Sequence, residues 1–398
     1  MANVEYFDAV VVGGGPAGAT AAADLASGGV KVLLLERAFR IKPCGGAIPP
    51  RLIEDFDIPD ELLVAKISSA RMVSPKDERV LMPIANTYVG MVDRDKFDPW
   101  LRERAKSLGA DVRTAVFKRS SKLDNGNVLL TYLDKGGDGQ EVSVETRAVI
   151  GADGAKSKVA KQCIPGAEKL RCVLAYHEIV KAPDNADKED FDGNRCDVWY
   201  QGRLSPDFYA WVFPHGNHCS IGVGSEKKDF SAPDAVRQLR RDVKLDGAET
   251  VRCEGAPIPL KPLKRWDDGR NVLLAGDACG VVAPASGEGI YYAMLGGRLA
   301  AEAVGCFLET GDAKALLSAR KRFMKLHGRV FWILGLLQRF WYSTDAKREK
   351  FVSMCRDPDV QFLTWQAYTR KELVRARPLA HVRIFFKDVA QLLGLARA

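Results

Sequence analysis

The stretch Ala9–Leu25, AVVVGGGPAGATAAADL, constrains the fold more than any other part of the chain. A β-branched apolar run stops at three glycines, and an alanine-rich run starts immediately after them. Gly13, Gly15 and Gly18 stand in GxGxxG spacing between an expected strand and an expected helix. Each answers a different demand: Gly13 the tight turn, Gly15 the approach of a pyrophosphate to bare backbone, Gly18 close packing of helix on strand. Pro16 and Ala17 open the helix, whose first amides point at the anion. A second apolar run, VLLLE, closes on Glu36, where a carboxylate can grip a ribose hydroxyl pair, with Arg37 beside it. GxGxxG alone arises often by chance. The succession strand, glycine turn, helix, strand, Glu is a dinucleotide-binding βαβ opening.

At 398 residues the chain is long for one hydrophobic core, so two domains or one elaborated domain are expected. Its 46% hydrophobic and 28% charged residues are ordinary for a soluble globular protein. Nine cysteines without a CxxC pair make neither a disulfide framework nor a zinc site. They read as reduced, mostly buried thiols of a cytoplasmic protein. The histidines show no ligand spacing beyond His215 and His218, which read as solvated residues of a hairpin turn, so no metal is expected. The first apolar run lacks a basic flank and is already a strand, so no targeting segment is expected ahead of the fold. Toward the C-terminus the longest apolar run, Val330–Leu337, falls far short of the roughly 18 residues of a membrane span.

Charge is unevenly placed. Ala313–Ala398 holds 18 of the 59 Lys and Arg but only 6 of the 51 Asp and Glu. The imbalance points to an anionic membrane surface or a protein partner touching the tail. Nucleic acid is excluded, because no binding fold interleaves aromatic with basic residues.

Along the chain, Met91–Gly109 reads as a short strand and then a helix, DKFDPWLRERAKSLG, with Gly109 as its C-cap. Polar turns (DNGN, DKGGDG) separate strands up to Val149. From Arg171 to Val251 the runs CDVWYQ, FYAWVFP and HCSIGVGS alternate as an antiparallel meander joined by RLSPD and HGN. After Gly311 the pattern is helical. Within the meander, SPDFYAWVFPHG puts Tyr209, Trp211 and Phe213 on one strand face and Phe208, Ala210 and Val212 on the other. Tyr and Trp each carry a polar atom that needs a partner, which suits the wall of a cavity for a large apolar ligand.

Two later stretches repeat the strand–glycine–helix design. IGADGAKS places Asp153 and Gly154 just past a strand. LLAGDACGVVAPASGEGI places Gly276 and Asp277 past another, then Pro284, Gly287 and Gly289 before a helix opening at Ile290. An aspartate there accepts from ribityl hydroxyls, and the helix N-terminus faces the pyrimidine end of a flavin, which becomes anionic on reduction. The three motifs in this order resemble the FAD signature of the hydroxylase-like flavoproteins, which include aromatic hydroxylases, squalene epoxidases, halogenases and geranylgeranyl reductases. That resemblance implies that Arg94, in VDRDKFD, also meets the cofactor.

Two features resemble the geranylgeranyl reductases in particular. One is KPCGG, Lys42–Gly46; the other is Pro-x-x-Tyr-x-Trp-x-Phe-Pro at Pro206, Tyr209, Trp211, Phe213 and Pro214. The likeness runs to about residue 310, and the length and basic tail further resemble the bacterial geranylgeranyl-(bacterio)chlorophyll reductases. The implied fold is α/β. A Rossmann-like FAD-binding domain (1–60, 90–165, 265–310) carries an inserted antiparallel β-sheet substrate domain (61–89, 166–264) and a basic C-terminal helical region (311–398). The implied activity is hydrogenation of isolated C=C bonds in a geranylgeranyl chain, carried as a diphosphate or on a pigment. FAD would carry the hydride and NADPH supply it; with no second GxGxxG, NADPH would dock transiently. The implied place is the cytoplasm, with the tail peripheral on the cytoplasmic face of a membrane or against a partner in pigment synthesis. Two other classes use such a fold: a flavin monooxygenase for a hydrophobic substrate, and an electron-transfer flavoprotein that reduces quinone. The membrane-linked form of the latter usually carries an iron–sulfur cysteine cluster, and the cysteine spacing here offers none.

An isolated alkene has no carbonyl to polarise it, so hydride transfer to one carbon needs a proton delivered to the other. It also needs a dry pocket that holds the chain at reacting distance. Cys44 is the candidate acid, since thiols of ordinary pKa, about 8.5, hold their proton at neutral pH. Gly45 and Gly46 let the backbone pass close to a planar ring. Tyr209 is the other proton source considered. In the tail, Phe323, Leu326, Val330, Leu334, Leu337 and Trp341 follow helical steps and are expected to face the protein. Lys325, Arg329 and Arg339, with Trp332 and Leu336, are expected to face outward, either toward a membrane interface or a partner or as a solvated basic face with incidental apolar residues.

Overall fold

An apolar run buried on both faces makes a central parallel strand, and β1 (Glu5–Val12) is one: Ala9, Val10 and Val11 are fully buried. The computed structural model describes residues 4–37, 41–185 and 187–371. After β1 come α1 (Pro16–Ser27) and β2 (Val32–Glu36). An excursion follows through β3 (Ala47–Ile48), α2 (Pro50–Asp55), β4 (Leu63–Ile67), β5 (Ser69–Val73), β6 (Arg79–Pro83) and β7 (Val89–Val92). The chain continues with α3 (Arg94–Ser107), β8 (Asp111–Lys122), β9 (Val128–Asp134), β10 (Glu141–Gly151) and α4 (Lys158–Cys163). A second excursion holds β11 (Cys172–Lys181), β12 (Arg195–Trp199), β13 (Ala210–His215), β14 (His218–Ser225), α5 (Ala232–Asp242) and β15 (Thr250–Pro259). Last come β16 (Val272–Leu274), α6 (Ile290–Thr310), α7 (Leu317–Trp341), α8 (Asp345–Met354) and α9 (Pro358–Arg370).

The chain divides into two compact units. The first holds Met1–Lys42, Arg94–Cys172 and Pro257–Gly335; the second holds Pro43–Asp93, Val173–Ala256 and Leu336–Ala398. These boundaries differ from the sequence reading. Residues 43–60 and 90–93 group with the second unit, 166–172 and 257–264 with the first, and the described part of 311–398 is shared between the two.

In the first unit five strands run parallel in the neighbour order β8-β2-β1-β10-β16. Val10 lies opposite Leu33 on one side and Val149 on the other, and β9 pairs antiparallel with both β8 and β10. The glycine turn stands at the carboxyl end of β1, where open parallel sheets bind ligands. Helix α6 can lie close on α1 because Gly297 has no side chain: a Cβ there would stand 2.2 Å from the Ala17 carbonyl oxygen.

The second unit is built on a sheet of order β15-β11-β14-β13-β12-β5-β6, with β3-β7-β4 as a smaller sheet. The pairs β11–β14, β14–β13 and β13–β12 are antiparallel and β12–β5 parallel. One face is covered by α5, where Val236 and Leu239 pack with Ala210, Val212, Ile221 and Val223.

The tail is helical through α9, and residues 372–398 of the basic segment lie outside the described residues. Helix α7 is rotated relative to the expected stripe. Ala319, Phe323, His327, Phe331, Gln338 and Trp341 are its buried residues, whereas Leu326 and Leu337, expected inside, are exposed. Aromatic packing sets the rotation: Phe323, His327 and Phe331 all meet the Tyr292 ring of α6. The nine cysteines are all free, but only four of them (Cys196, Cys219, Cys279, Cys355) are buried. Among the described residues no group of His, Cys, Asp and Glu is arranged to hold a metal.

Candidate active site

In the first unit the three signature glycines separate into two kinds. A Cβ on Gly13 (φ +105°) would lie 2.4 Å from the Ala152 carbonyl oxygen, and one on Gly18 would lie 1.8 Å from that of Gly13. These two are glycines because the chain itself leaves no room. At Gly15 a Cβ would meet nothing within 4 Å, and no side chain caps α1 there. Bare backbone, open space and unpaired helix amides together fit a pyrophosphate. Glu36 ends β2 beside this turn, its Oε2 accepting the Gly14 N–H at 2.6 Å. Arg102 donates to the Gly14 carbonyl at 3.2 Å from the other side. Arg37 follows Glu36 and is exposed.

The two later motifs differ in what their aspartates do. The carboxylate of Asp153 accepts from the Ser157 hydroxyl and from the amides of Lys158, at 2.6 Å, and Val159, at 3.3 Å. Burial pushes its pKa up, against the pull of those hydrogen bonds. Asp153 therefore holds the first two amides of α4 beside the N-cap residue Ser157, while Gly154 (φ +81°) makes the turn. Asp277 instead takes an ion pair from Lys42, with Nζ 2.6 Å from Oδ2. Pro284, Gly287 and Gly289 lead into α6 at Ile290, whose N-terminus no side chain caps. That end can face a flavin's pyrimidine edge. Arg94 is buried at the start of α3, with Nε and Nη2 both 2.7 Å from the carboxylate of Asp98.

The second unit brings Cys44, Gly45 and Gly46 against β13. A Cβ on Gly45 would stand 3.1 Å from the Phe213 ring, and one on Gly46 (φ +73°) 2.4 Å from His215 Cε1. Half-buried Cys44 accepts the Gly46 N–H on Sγ at 3.4 Å. His215 is not solvated, as its place near a turn suggests, but buried. Its Nδ1 lies 2.8 Å from Asp93 Oδ1 and its Nε2 3.1 Å from the Gly45 carbonyl oxygen. The reason is its position: it is the last residue of β13, beyond the aromatic ladder, and the cysteine turn covers it.

Tyr209, Trp211 and Phe213 stand on the face opposite Ala210 and Val212, with ring centroids 6.0 and 6.2 Å apart. Tyr209 and Trp211 are buried, and half-buried Phe213 packs, as Trp365 and Tyr368 of α9 do, against the cluster of Ile67, Ile84, Val89, Met91 and Cys196. Trp211 is held from behind. Its Nε1–H donates to Ser220 Oγ at 3.1 Å, Ser220 faces His177 Nδ1 at 2.8 Å, and His177 Nε2 faces Glu254 at 3.1 Å. An indole can only donate, so Ser220 Oγ accepts from Trp211, and His177 bridges Ser220 to Glu254. Gly222 makes room for the indole, since a Cβ there would lie 2.2 Å from Trp211 Cζ2.

Lys42, Asp93, His177, Ser220 and His215 take parts that sequence patterns did not assign. Lys42 and Asp277 are 235 residues apart, and no local spacing links them. For Ser220 a signal existed: a buried tryptophan needs an acceptor, and the strand next to Trp211 offered a serine.

These features define an FAD-binding protein of the hydroxylase-like fold. A profile of the FAD binding domain matches residues 6–325. The chain is 55% identical to a geranylgeranyl diphosphate reductase of Rhodobacter capsulatus, covering 98% of each. It is 38% identical to the chloroplastic geranylgeranyl diphosphate reductase of Oryza sativa, over 96% of this chain and 85% of that one. A geranylgeranyl bacteriochlorophyll reductase-like structure from Thermoplasma acidophilum matches with a TM-score of 0.81 at 21% identity, covering 94% of this chain and 98% of the other. The protein belongs to the geranylgeranyl diphosphate reductase family.

Proposed function

We propose that this protein hydrogenates isolated double bonds of a geranylgeranyl chain, with FAD as hydride carrier, NADPH as donor and Cys44 as the source of the proton. The observation that carries the reading is the Cys44–Gly46 turn, which lies against Phe213 and His215 on the strand bearing the aromatic ladder. Bound FAD supplies a hydride taken from NADPH. Glu36 would hold its ribose, the first amides of α1 its pyrophosphate, and the N-terminus of α6 its pyrimidine end.

Cys44 delivers its proton to the second alkene carbon as the hydride reaches the first. The π pair is consumed, two C–H bonds form, and a thiolate remains that solvent reprotonates. The Gly46 amide already donates to that sulfur and steadies the thiolate. Tyr209 is the poorer acid, because burial first, then Tyr342 and Cys44, push its phenol well above the ordinary range. Tyr209, Trp211 and Phe213 bind the chain and keep water from it. An anaerobic assay with NADPH and geranylgeranyl diphosphate, or a geranylgeranylated pigment, tests the activity through product mass in steps of two hydrogens. Absence of any such step with both substrates overturns it.

We further infer that α7 rests on an anionic membrane surface. Trp332 is 70% exposed, with Leu326 and Leu336 exposed on the same helix. Lys325, Arg329 and Arg339 are exposed beside them, and α7 contains no acidic residue. Apolar side chains ringed by cations complement a layer of lipid phosphates. Among the described residues no helix is long and apolar enough to cross a membrane, so the contact is peripheral.

A further inference from the structure

We propose that His215 is the residue that positions the Cys44–Gly46 turn, acting as a clamp between Asp93 and the Gly45 carbonyl. The inference rests on the reading of Cys44 as the acid, and it adds a residue that acts through that cysteine.

Hydrogen-bond partners decide the state of the ring. A carbonyl oxygen can only accept, so Nε2, 3.1 Å from Gly45 O, carries a proton. Nδ1 lies 2.8 Å from Asp93 Oδ1, so the ring bridges a carboxylate and a backbone carbonyl. Burial denies the ring the water that would otherwise replace either partner.

The turn is thus tied to the end of β7 twice. The Val92 N–H donates directly to the Gly46 carbonyl at 2.9 Å, and Asp93, the next residue, reaches Gly45 through His215. Two consecutive glycines give the turn more freedom than any other residue pair would, so without the clamp Gly45 has little to hold its peptide plane. The ring also fills the space where a Gly46 side chain would stand, 2.4 Å from Cε1. Asp93, the residue after β7, faces the ring at Nδ1, and His218 on β14 is its register partner.

The test uses the FAD-loaded protein with His215→Leu, Asp93→Asn and Cys44→Ser. His215→Leu is expected to slow single-turnover reduction of geranylgeranyl diphosphate about tenfold or more, with KM nearly unchanged. NADPH-driven flavin reduction should continue at the parent rate. Peptide-resolved iodoacetamide labelling should change severalfold at Cys44 while the exposed Cys253 and Cys306 keep their rates, a contrast that general loosening would not produce. Asp93→Asn, which keeps an acceptor and removes the charge, should move the same readouts in the same direction, and it serves if the leucine variant does not fold. Unchanged Cys44 labelling in both variants overturns the clamp, as does a parallel change at all three cysteines. Full product formation by Cys44→Ser would overturn the acid reading instead, and the clamp would then be judged by the labelling contrast alone.

Discussion

Gly15 and Gly18 sit three residues apart in one motif, yet the structure separates their roles. Alanine at Gly18 would put a Cβ 1.8 Å from the Gly13 carbonyl oxygen, so Gly18→Ala should cost fold and cofactor together. Alanine at Gly15 meets no protein atom within 4 Å. Gly15→Ala should leave the melting temperature of the FAD-free protein unchanged and weaken FAD binding about tenfold, roughly 1.4 kcal/mol, by filling pyrophosphate space. Thermal melting beside FAD titration reads both; equal losses in the two variants would contradict the division. Cys44→Ser should keep FAD and its reduction by NADPH and lose alkene reduction. The product's mass is the readout there.

At the scale of the element, β13 has two surfaces: Ala210 and Val212 belong to the core under α5, while Trp211 and Phe213, with Tyr209 just before the strand, make the ladder. Trimming Trp211 should therefore weaken binding of the prenyl chain more than binding of FAD, by calorimetry with geranylgeranyl diphosphate. Ser220→Ala leaves the indole N–H buried without its acceptor and should cost about 1–3 kcal/mol of stability in chemical denaturation. The same relay ends on Glu254, where burial would raise the carboxyl, but the hydrogen bond from His177 and the charge of Arg252 outweigh it and lower it. A depressed carboxyl stabilises above its unfolded pKa, near 4.3, and the contribution disappears as acid protonates it. Melting temperature should therefore fall more gently below about pH 5 in Glu254→Gln than in the parent.

For the whole molecule, the open question is where an apolar C20 substrate meets the protein. The outer face of α7 gives the answer we favour, and cosedimentation with phosphatidylglycerol vesicles tests it. Binding should be strong at low salt, fall at high salt, and drop severalfold in Trp332→Ser. Equal binding to neutral phosphatidylcholine, or none at low salt, would turn attention to a protein partner on the same face.

By itself the sequence determined what depends on neighbours along the chain. The glycine turn, the strand that precedes it and the two faces of β13 are written in local spacing, because strand and helix periods decide which side chains share a face. What only the tertiary structure decided involves partners far apart. Asp153 reads like Asp277 in sequence, but Ser157 and two amides claim it for the start of a helix while Lys42 claims the other. His215 reads as a turn residue until Asp93 and Gly45 close over it. The rotation of α7 belongs with these: its heptad-like spacing allowed more than one stripe, and packing on Tyr292 chose which one is buried. Hydrogen bonds and ring contacts between distant segments leave no period behind them, so such choices exist only once the chain has folded.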